Sequence, residues 1–241
     1  MKIKNYFSPN FNRQKRSAKS IKLIVFHYTG MQSERESLIR LCSTKSKVSC
    51  HYLIGRNGII YRLVKENKIA WHAGISNWGN YKNLNKNSLG IELVNKGHQF
   101  GYANFTKKQL ISLLKITKNI IKKYKIKNKN IVGHSDIAPL RKIDPGEKFP
   151  WKEFSKNKIG IWHDYEPNFV KKFRKIKNNK KKDRINFIKN LRRIGYYLPK
   201  SNKPFLTQIT KSFQRHYRKE LINGKIDEEC LLIARNLLKN L

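Results

Sequence analysis

Ile21-Lys22-Leu23-Ile24-Val25-Phe26-His27-Tyr28 is a β-branched, apolar run that ends in polar residues. That pattern reads as a buried strand delivering His27 to its end. Outward from it, residues 34–43 have helical character, with Leu38, Ile39 and Leu41 as their apolar positions. Residues 50–54 and 59–63 are two short strand patterns. Arg56-Asn57-Gly58 stands between them, and Asn-Gly is a strong hairpin signal. Residues 89–94 (Leu-Gly-Ile-Glu-Leu-Val) form another strand. Thr106 with Gln109 three positions on makes a capping box. The helix it opens carries Leu110, Leu113, Leu114, Thr117, Ile121 and Tyr124 along one stripe. Residues 130–133 are a last short strand running into His134. The order β, α, β, β, β, α, β predicts a mixed α/β domain, a central sheet with helices packed against it.

Beyond Trp162 the texture changes. Residues 171–182 are mostly Lys, Arg and Asn, a solvated helix end plus linker. Three short amphipathic segments follow. The first carries Ile185, Ile188, Leu191 and Ile194 and stops at Gly195. The second begins at Thr207 and carries Ile209, Phe213 and Tyr217. The third is capped by Asp227 and carries Leu231, Ala234, Leu237 and Leu238. The expected organisation is an α/β domain over residues 1–160, a basic linker over 161–182, and a small three-helix domain over 183–241.

Composition narrows the function classes. Hydrophobic residues make up 39%, enough for a packed core. No apolar run approaches the roughly 20 residues that a membrane-spanning helix needs. The basic N-terminus is followed by no apolar stretch of the secretory kind. Lys and Arg number 54 against 15 acids, a formal charge of +39. That excess suits an anionic partner in general. It is spread through both halves and accompanied by abundant Asn and Ile, which reads as compositional drift, and no nucleic-acid-binding signature accompanies it. The three cysteines, Cys42, Cys50 and Cys230, contain no CxxC pair and read as free thiols, with a Cys42–Cys50 bridge as the alternative.

Of the seven histidines, His27 and His134 end strands. Asp144 lies in the Pro/Gly-containing turn Ile143-Asp144-Pro145-Gly146. Two imidazoles and one carboxylate are a common three-ligand set for catalytic zinc, with the fourth position left for water. Spacing alone leaves the alternative of ordinary core or surface histidines open.

Six stretches in order change that balance. They are Phe26-His27-Tyr28-Thr29, Ser49-Cys50-His51-Tyr52-Leu53-Ile54, Ala70-Trp71-His72-Ala73-Gly74, Gly90-Ile91-Glu92-Leu93-Val94-Asn95, Gly133-His134-Ser135-Asp136 and Lys142-Ile143-Asp144-Pro145-Gly146. Together they resemble the type 2 N-acetylmuramoyl-L-alanine amidase family, over about residues 8–155. The resemblance implies a peptidoglycan-recognition-protein-like fold. It also implies a zinc hydrolase that cuts the lactyl–L-alanine amide of peptidoglycan or of (anhydro)muropeptides. It makes His27, His134 and Asp144 the zinc ligands, and Glu92 and Lys142 the catalytic pair. Trp71, His72, Asn95 and His51 become candidate substrate contacts. Phage-type members carry a tyrosine where this chain has Cys50, so the proton work is expected to fall to Glu92. They also use a cysteine as third ligand where this chain has Asp144.

The C-terminal pieces Leu191 to Tyr197, Phe213-Gln214-Arg215-His216-Tyr217 and Gly224-Lys225-Ile226-Asp227 resemble the three-helix peptidoglycan-binding domain attached to such hydrolases. The partners implied are peptidoglycan or a muropeptide, with no specific nucleic acid and a monomeric chain. The missing secretory signal points to the cytoplasm. A wall-binding domain has its ligand in the envelope, which is the location the sequence favours.

Overall fold

The computed structural model describes residues 3–176, 181–199 and 203–241. Among them a six-stranded sheet is built from β1 (Ile3–Asn5), β2 (Leu23–Tyr28), β3 (Tyr52–Ile54), β4 (Ile60–Arg62), β5 (Ser88–Leu93) and β6 (Ile131–Gly133). The spatial order is β1-β4-β3-β5-β2-β6. β3 and β4 form the antiparallel hairpin that Asn57-Gly58 announces, with Gly58 at φ 84°. The other pairings are parallel. β1 is absent from the sequence expectation. It is three residues long and mostly exposed, and it exists because β4 offers it a free edge.

Alternation along β2 sorts its side chains onto two layers. Ile24 and Phe26 face one core together with Ile91 and Leu93 of β5 and with Leu113, Ile116 and Ile120 of α2 (Lys107–Tyr124), which follows α1 (Glu34–Cys42). The helix opens with the expected capping box. The Thr106 hydroxyl accepts from the Gln109 N–H, and the Gln109 side chain accepts from the Thr106 N–H, each at 3.1 Å. The other end of the Gln109 amide donates to the carbonyls of Ile54 and Val94, pinning the helix start to the ends of β3 and β5. The buried stripe is rotated from the expected one. Leu113 and Thr117 are buried with Ile116 and Ile120, whereas Leu110, Leu114, Ile121 and Tyr124 are only partly covered.

Leu23 and Val25 face the opposite layer, and here the C-terminal residues arrive. After the short helices α3 (His134–Ile137), α4 (Trp151–Ser155) and α5 (Pro167–Lys171) come α6 (Lys181–Ile194), α7 (Lys203–Tyr217) and α8 (Glu228–Leu237). Phe187, Leu191, Ile209, Phe213, Cys230 and Leu237 pack into one continuous cluster with Leu23, Val25 and Val132 of the sheet. α7 begins ahead of Thr207, and Ile185 of the expected apolar stripe is exposed while Phe187 is buried. Residues 161–182, read as a linker, contain α5 and the buried Val170; residues 177–180 of the basic run lie outside the described residues.

Two contacts weld these helices to the body. Gly195, which ends α6, has φ 141°, and a Cβ there would lie 2.4 Å from Cε2 of Trp78, so only glycine permits the approach. The buried Asp136 carboxylate accepts from the Tyr196 hydroxyl at 2.7 Å, from His216 Nδ1 at 2.7 Å and from the Gly133 N–H at 2.8 Å. All three cysteines are free thiols.

Candidate active site

The sheet places the site through its register. His27 of β2 pairs with Glu92 of β5, so the two side chains leave adjacent strands at one end of the sheet and on one face. His134 begins α3 directly after β6, the other neighbour of β2. Asp144 reaches them by a return loop. The Ser135 N–H donates to the Asp144 carbonyl at 2.8 Å, and the Asp144–Pro145 peptide is cis.

His27, His134 and Asp144 come together. His27 Nδ1 lies 3.0 Å from His134 Nδ1 and 3.0 Å from Asp144 Oδ2, and His134 Nδ1 lies 3.1 Å from the same oxygen. All three residues are buried. His134 Nε2 faces the Ala73 carbonyl at 3.2 Å, an acceptor that takes the ring's N–H and leaves Nδ1 as a bare lone pair. Burial, reinforced by the neighbouring His134, pushes His27 down to about 4, so its ring is neutral near pH 7. Burial would raise the Asp144 carboxyl, but the imidazoles of His134 and His27 packed against it outweigh burial and hold it well below the usual carboxylate range. Two imidazole lone pairs and an ionised oxygen thus point at one spot. That donor set fits a divalent cation of the zinc type.

A cleft of about 340 Å³ opens over this cluster, lined among others by Glu92, Lys142, Trp71, Arg40 and Arg141. Glu92 Oε2 is buried without a hydrogen-bond partner. Burial, and then the Asp144 charge, push the Glu92 carboxyl up to about 8, while Lys142 works against both. A carboxyl balanced near neutrality beside a cation cluster is equipped to carry a proton.

The remaining candidates divide. Trp71 borders the cleft and donates from Nε1 to Asn12 Oδ1 at 2.5 Å, which fixes its ring. His72 also borders it, but both ring nitrogens are engaged within the protein, with His27 and Ser88. Burial, with His27 next, keeps His72 well below the ordinary imidazole range. His51 is fully buried outside the cleft, its Nδ1 accepting from the Gly90 N–H at 3.0 Å. Asn95 spends its amide on its own loop, donating to the Ala103 carbonyl and accepting from the N–H groups of Gly97 and Ala103. The structure therefore brings neither His51 nor Asn95 to the cleft. Arg141 went unread in the sequence. It donates to the carbonyls of Ala73 and Ile75, bridging the His134 loop and the 73–75 loop at the cleft rim. One arginine among 54 basic residues carries no signal of its own. Cys50, in the place of the phage-type tyrosine, is buried and gives its thiol to the Tyr52 carbonyl.

Comparison with known proteins shows the family and the fold. The family described as N-acetylmuramoyl-L-alanine amidase matches residues 17–147. N-acetylmuramoyl-L-alanine amidase AmiD of Escherichia coli is 39% identical over 91% of this chain and 83% of its own length. The 1,6-anhydro-N-acetylmuramyl-L-alanine amidase AmpD of Haemophilus influenzae is 46% identical over 45% of this chain and 57% of its own length. The structure of E. coli AmiD in complex with anhydro-N-acetylmuramic acid-L-Ala-D-γ-Glu-L-Lys superposes with a TM-score of 0.81 at 35% identity, covering 95% of this chain and 93% of that one. AmpDh3 from Pseudomonas aeruginosa superposes with a TM-score of 0.80 at 30% identity, covering 96% of each chain.

Proposed function

The chain belongs to the N-acetylmuramoyl-L-alanine amidase family and is a hydrolase, and on that premise we propose that it uses zinc held by His27, His134 and Asp144 to cut the lactyl–L-alanine amide of peptidoglycan or anhydromuropeptides. The observation that carries the reading is the convergence of two imidazole nitrogens and one carboxylate oxygen within 3.0–3.1 Å, with Glu92 one strand away.

Zinc in that place supplies a Lewis acid and lowers the pKa of water to about 7. The protein's own groups do the rest. Glu92, unpartnered and turned into the cleft, takes the proton of the attacking water and returns it to the departing alanine nitrogen. Lys142 lines the cleft and offers its ammonium, with three N–H donors, to the oxygen that gains charge as the carbonyl turns tetrahedral. Arg40 and Arg141 at the rim suit the carboxylates of an acidic stem peptide. Trp71 gives a sugar or lactyl group an apolar wall.

The C-terminal helices, residues 183–241, are read as the wall-contacting part, with the envelope as the place of action. The support is their sequence resemblance and an amidase substrate that is wall material. No helix of the described residues is long and apolar enough to cross a membrane. The test is incubation with anhydromuramyl-tripeptide and with intact sacculi, read by mass spectrometry. Free tripeptide should appear, about one zinc per chain should be bound, and chelation should abolish release. Undiminished release from fully zinc-depleted protein would remove the metal from the reaction, and no release from either substrate would remove the substrate class.

A further inference from the structure

We propose that His72 is a positioning residue: with Ser88 it fixes His27 as the Nε2–H tautomer, so that the Nδ1 lone pair is the one offered to the metal. The proposal rests on the zinc reading above and assigns to His72 a role other than substrate contact.

A chain of donors and acceptors fixes the direction. The Leu84 carbonyl can only accept. The Ser88 hydroxyl lies 2.6 Å from it and gives it its proton. Ser88 Oγ, its proton spent, then accepts from His72 Nε2 at 3.1 Å. A neutral imidazole carries one N–H, so His72 Nδ1 is left as an acceptor. That Nδ1 faces His27 Nε2 at 3.1 Å. His27 Nε2 must therefore be the donor, and His27 Nδ1, the atom facing Asp144 and His134, is bare. A backbone carbonyl in a short turn sets, three side chains away, which nitrogen of His27 is free. His134 reaches the same tautomer in one step through the Ala73 carbonyl.

The fold makes room for this relay. Ser88, Gly90 and Glu92 alternate onto the face of β5 that His27 shares on β2. The His72 ring lies directly over Gly90, where a Cβ would sit 2.4 Å from its Cγ. Gly90 has no positive φ to explain it; close approach of the ring does. The main chain of residue 72 is held as well, its N–H and that of Ala73 both donating to Asn85 Oδ1 at 3.1 and 2.7 Å. Ring, backbone and platform are each fixed, as the orienting partner of a metal ligand requires.

The experiment uses the full chain. Long-range ¹H–¹⁵N correlation on metal-free protein should find His27 as the Nε2–H tautomer. His72→Phe keeps the ring's shape but removes the acceptor. It should leave His27 a mixture of tautomers and weaken zinc binding about 10–100-fold in competition with a chromophoric chelator. His72→Asn, which restores an oxygen near the Nδ1 position, should recover most of that loss. Ser88→Ala, milder and a safeguard if His72→Phe does not fold, should loosen both tautomers and weaken zinc several-fold. Finding His27 as the Nδ1–H tautomer in the wild type would overturn the proposal. So would unchanged tautomer and zinc affinity in His72→Phe, or in Ser88→Ala if His72→Phe fails to fold. Absence of muropeptide cleavage by a protein with the expected tautomer and zinc affinity would instead sink the amidase reading and leave the positioning role standing.

Discussion

Replacing Glu92 by Gln should stabilise the metal-free protein, and the gain should grow with pH. The Glu92 carboxyl stands at about 8 in the folded chain against an ordinary 4.5, first because it is buried and then because Asp144 is charged beside it. A folded-state value above the unfolded one means that the folded chain keeps a proton that the unfolded chain releases. Its favourable contribution is therefore complete below about pH 4.5 and is lost as pH rises through about 8. At about 1.4 kcal/mol per pH unit, the ceiling on that loss is about 5 kcal/mol. Solvent at the cleft edge reduces it, so a difference of about 2–4 kcal/mol is expected above pH 8. Gln keeps the shape and cannot ionise. Urea unfolding of both metal-free proteins at about pH 5, 7 and 9 measures the difference directly, and titrations common to both cancel. A difference that stays flat from pH 5 to 9 would refute the claim that burial and Asp144 hold this carboxyl up. Bound zinc, by neutralising Asp144, should shrink the effect. The same variant should bind zinc normally and lose muropeptide turnover.

Phe213→Ala, at a fully buried site against Phe187, should cost about 3–5 kcal/mol, and unfolding should remain a single transition because α7 shares its core with β2; two resolved calorimetric transitions would contradict the shared core. Glu229→Leu should cost about 2–4 kcal/mol, since it removes the fully buried carboxylate to which Arg174 and Arg218 donate at 2.7 and 3.2 Å, leaving Arg218 with Asp227 and Arg174 with the exposed Glu220; denaturant titration checks this. Gly90→Ala should cost about 1–3 kcal/mol and lower zinc affinity together, because its Cβ would displace the His72 ring. An alanine variant with wild-type affinity would count against the close packing.

The parts of the site legible in the sequence are those fixed by local pattern. Residues 21–28 announce a strand, and its end delivers His27. The alternation of Leu89-Gly90-Ile91-Glu92 puts Glu92 on the face away from α2. What could not be read is where a side chain's hydrogen bonds go. Asn95 follows a strand and has the chemistry to hold a peptide, yet its loop turns back and consumes all of it. His72 stands two residues before Gly74 in a loop, which suggests exposure, yet the glycine that matters to it is Gly90, eighteen positions away and on another element. The C-terminal stripes were visible, but not their partner. Leu23, Val25 and Val132 form an apolar sheet face whose cover is chosen by tertiary packing. The buried stripe of α2 moved for the same reason, since a helix rich in apolar residues leaves the angle of rotation to the sheet.

The shared core beneath α6, α7 and α8 has a mechanical meaning. A binding module on a slack tether searches a volume and helps by raising local concentration. Here Tyr196 and His216 grip Asp136, two residues beyond His134, and Gly195 is pressed against Trp78. Anything these helices touch is thus held at a set distance and angle from the cleft. On the proposal that they contact the wall, they would act as a gauge rather than a leash: a polymer matching the spacing would be presented in register with no search to make, and one bending out of that line would be engaged at one place or the other.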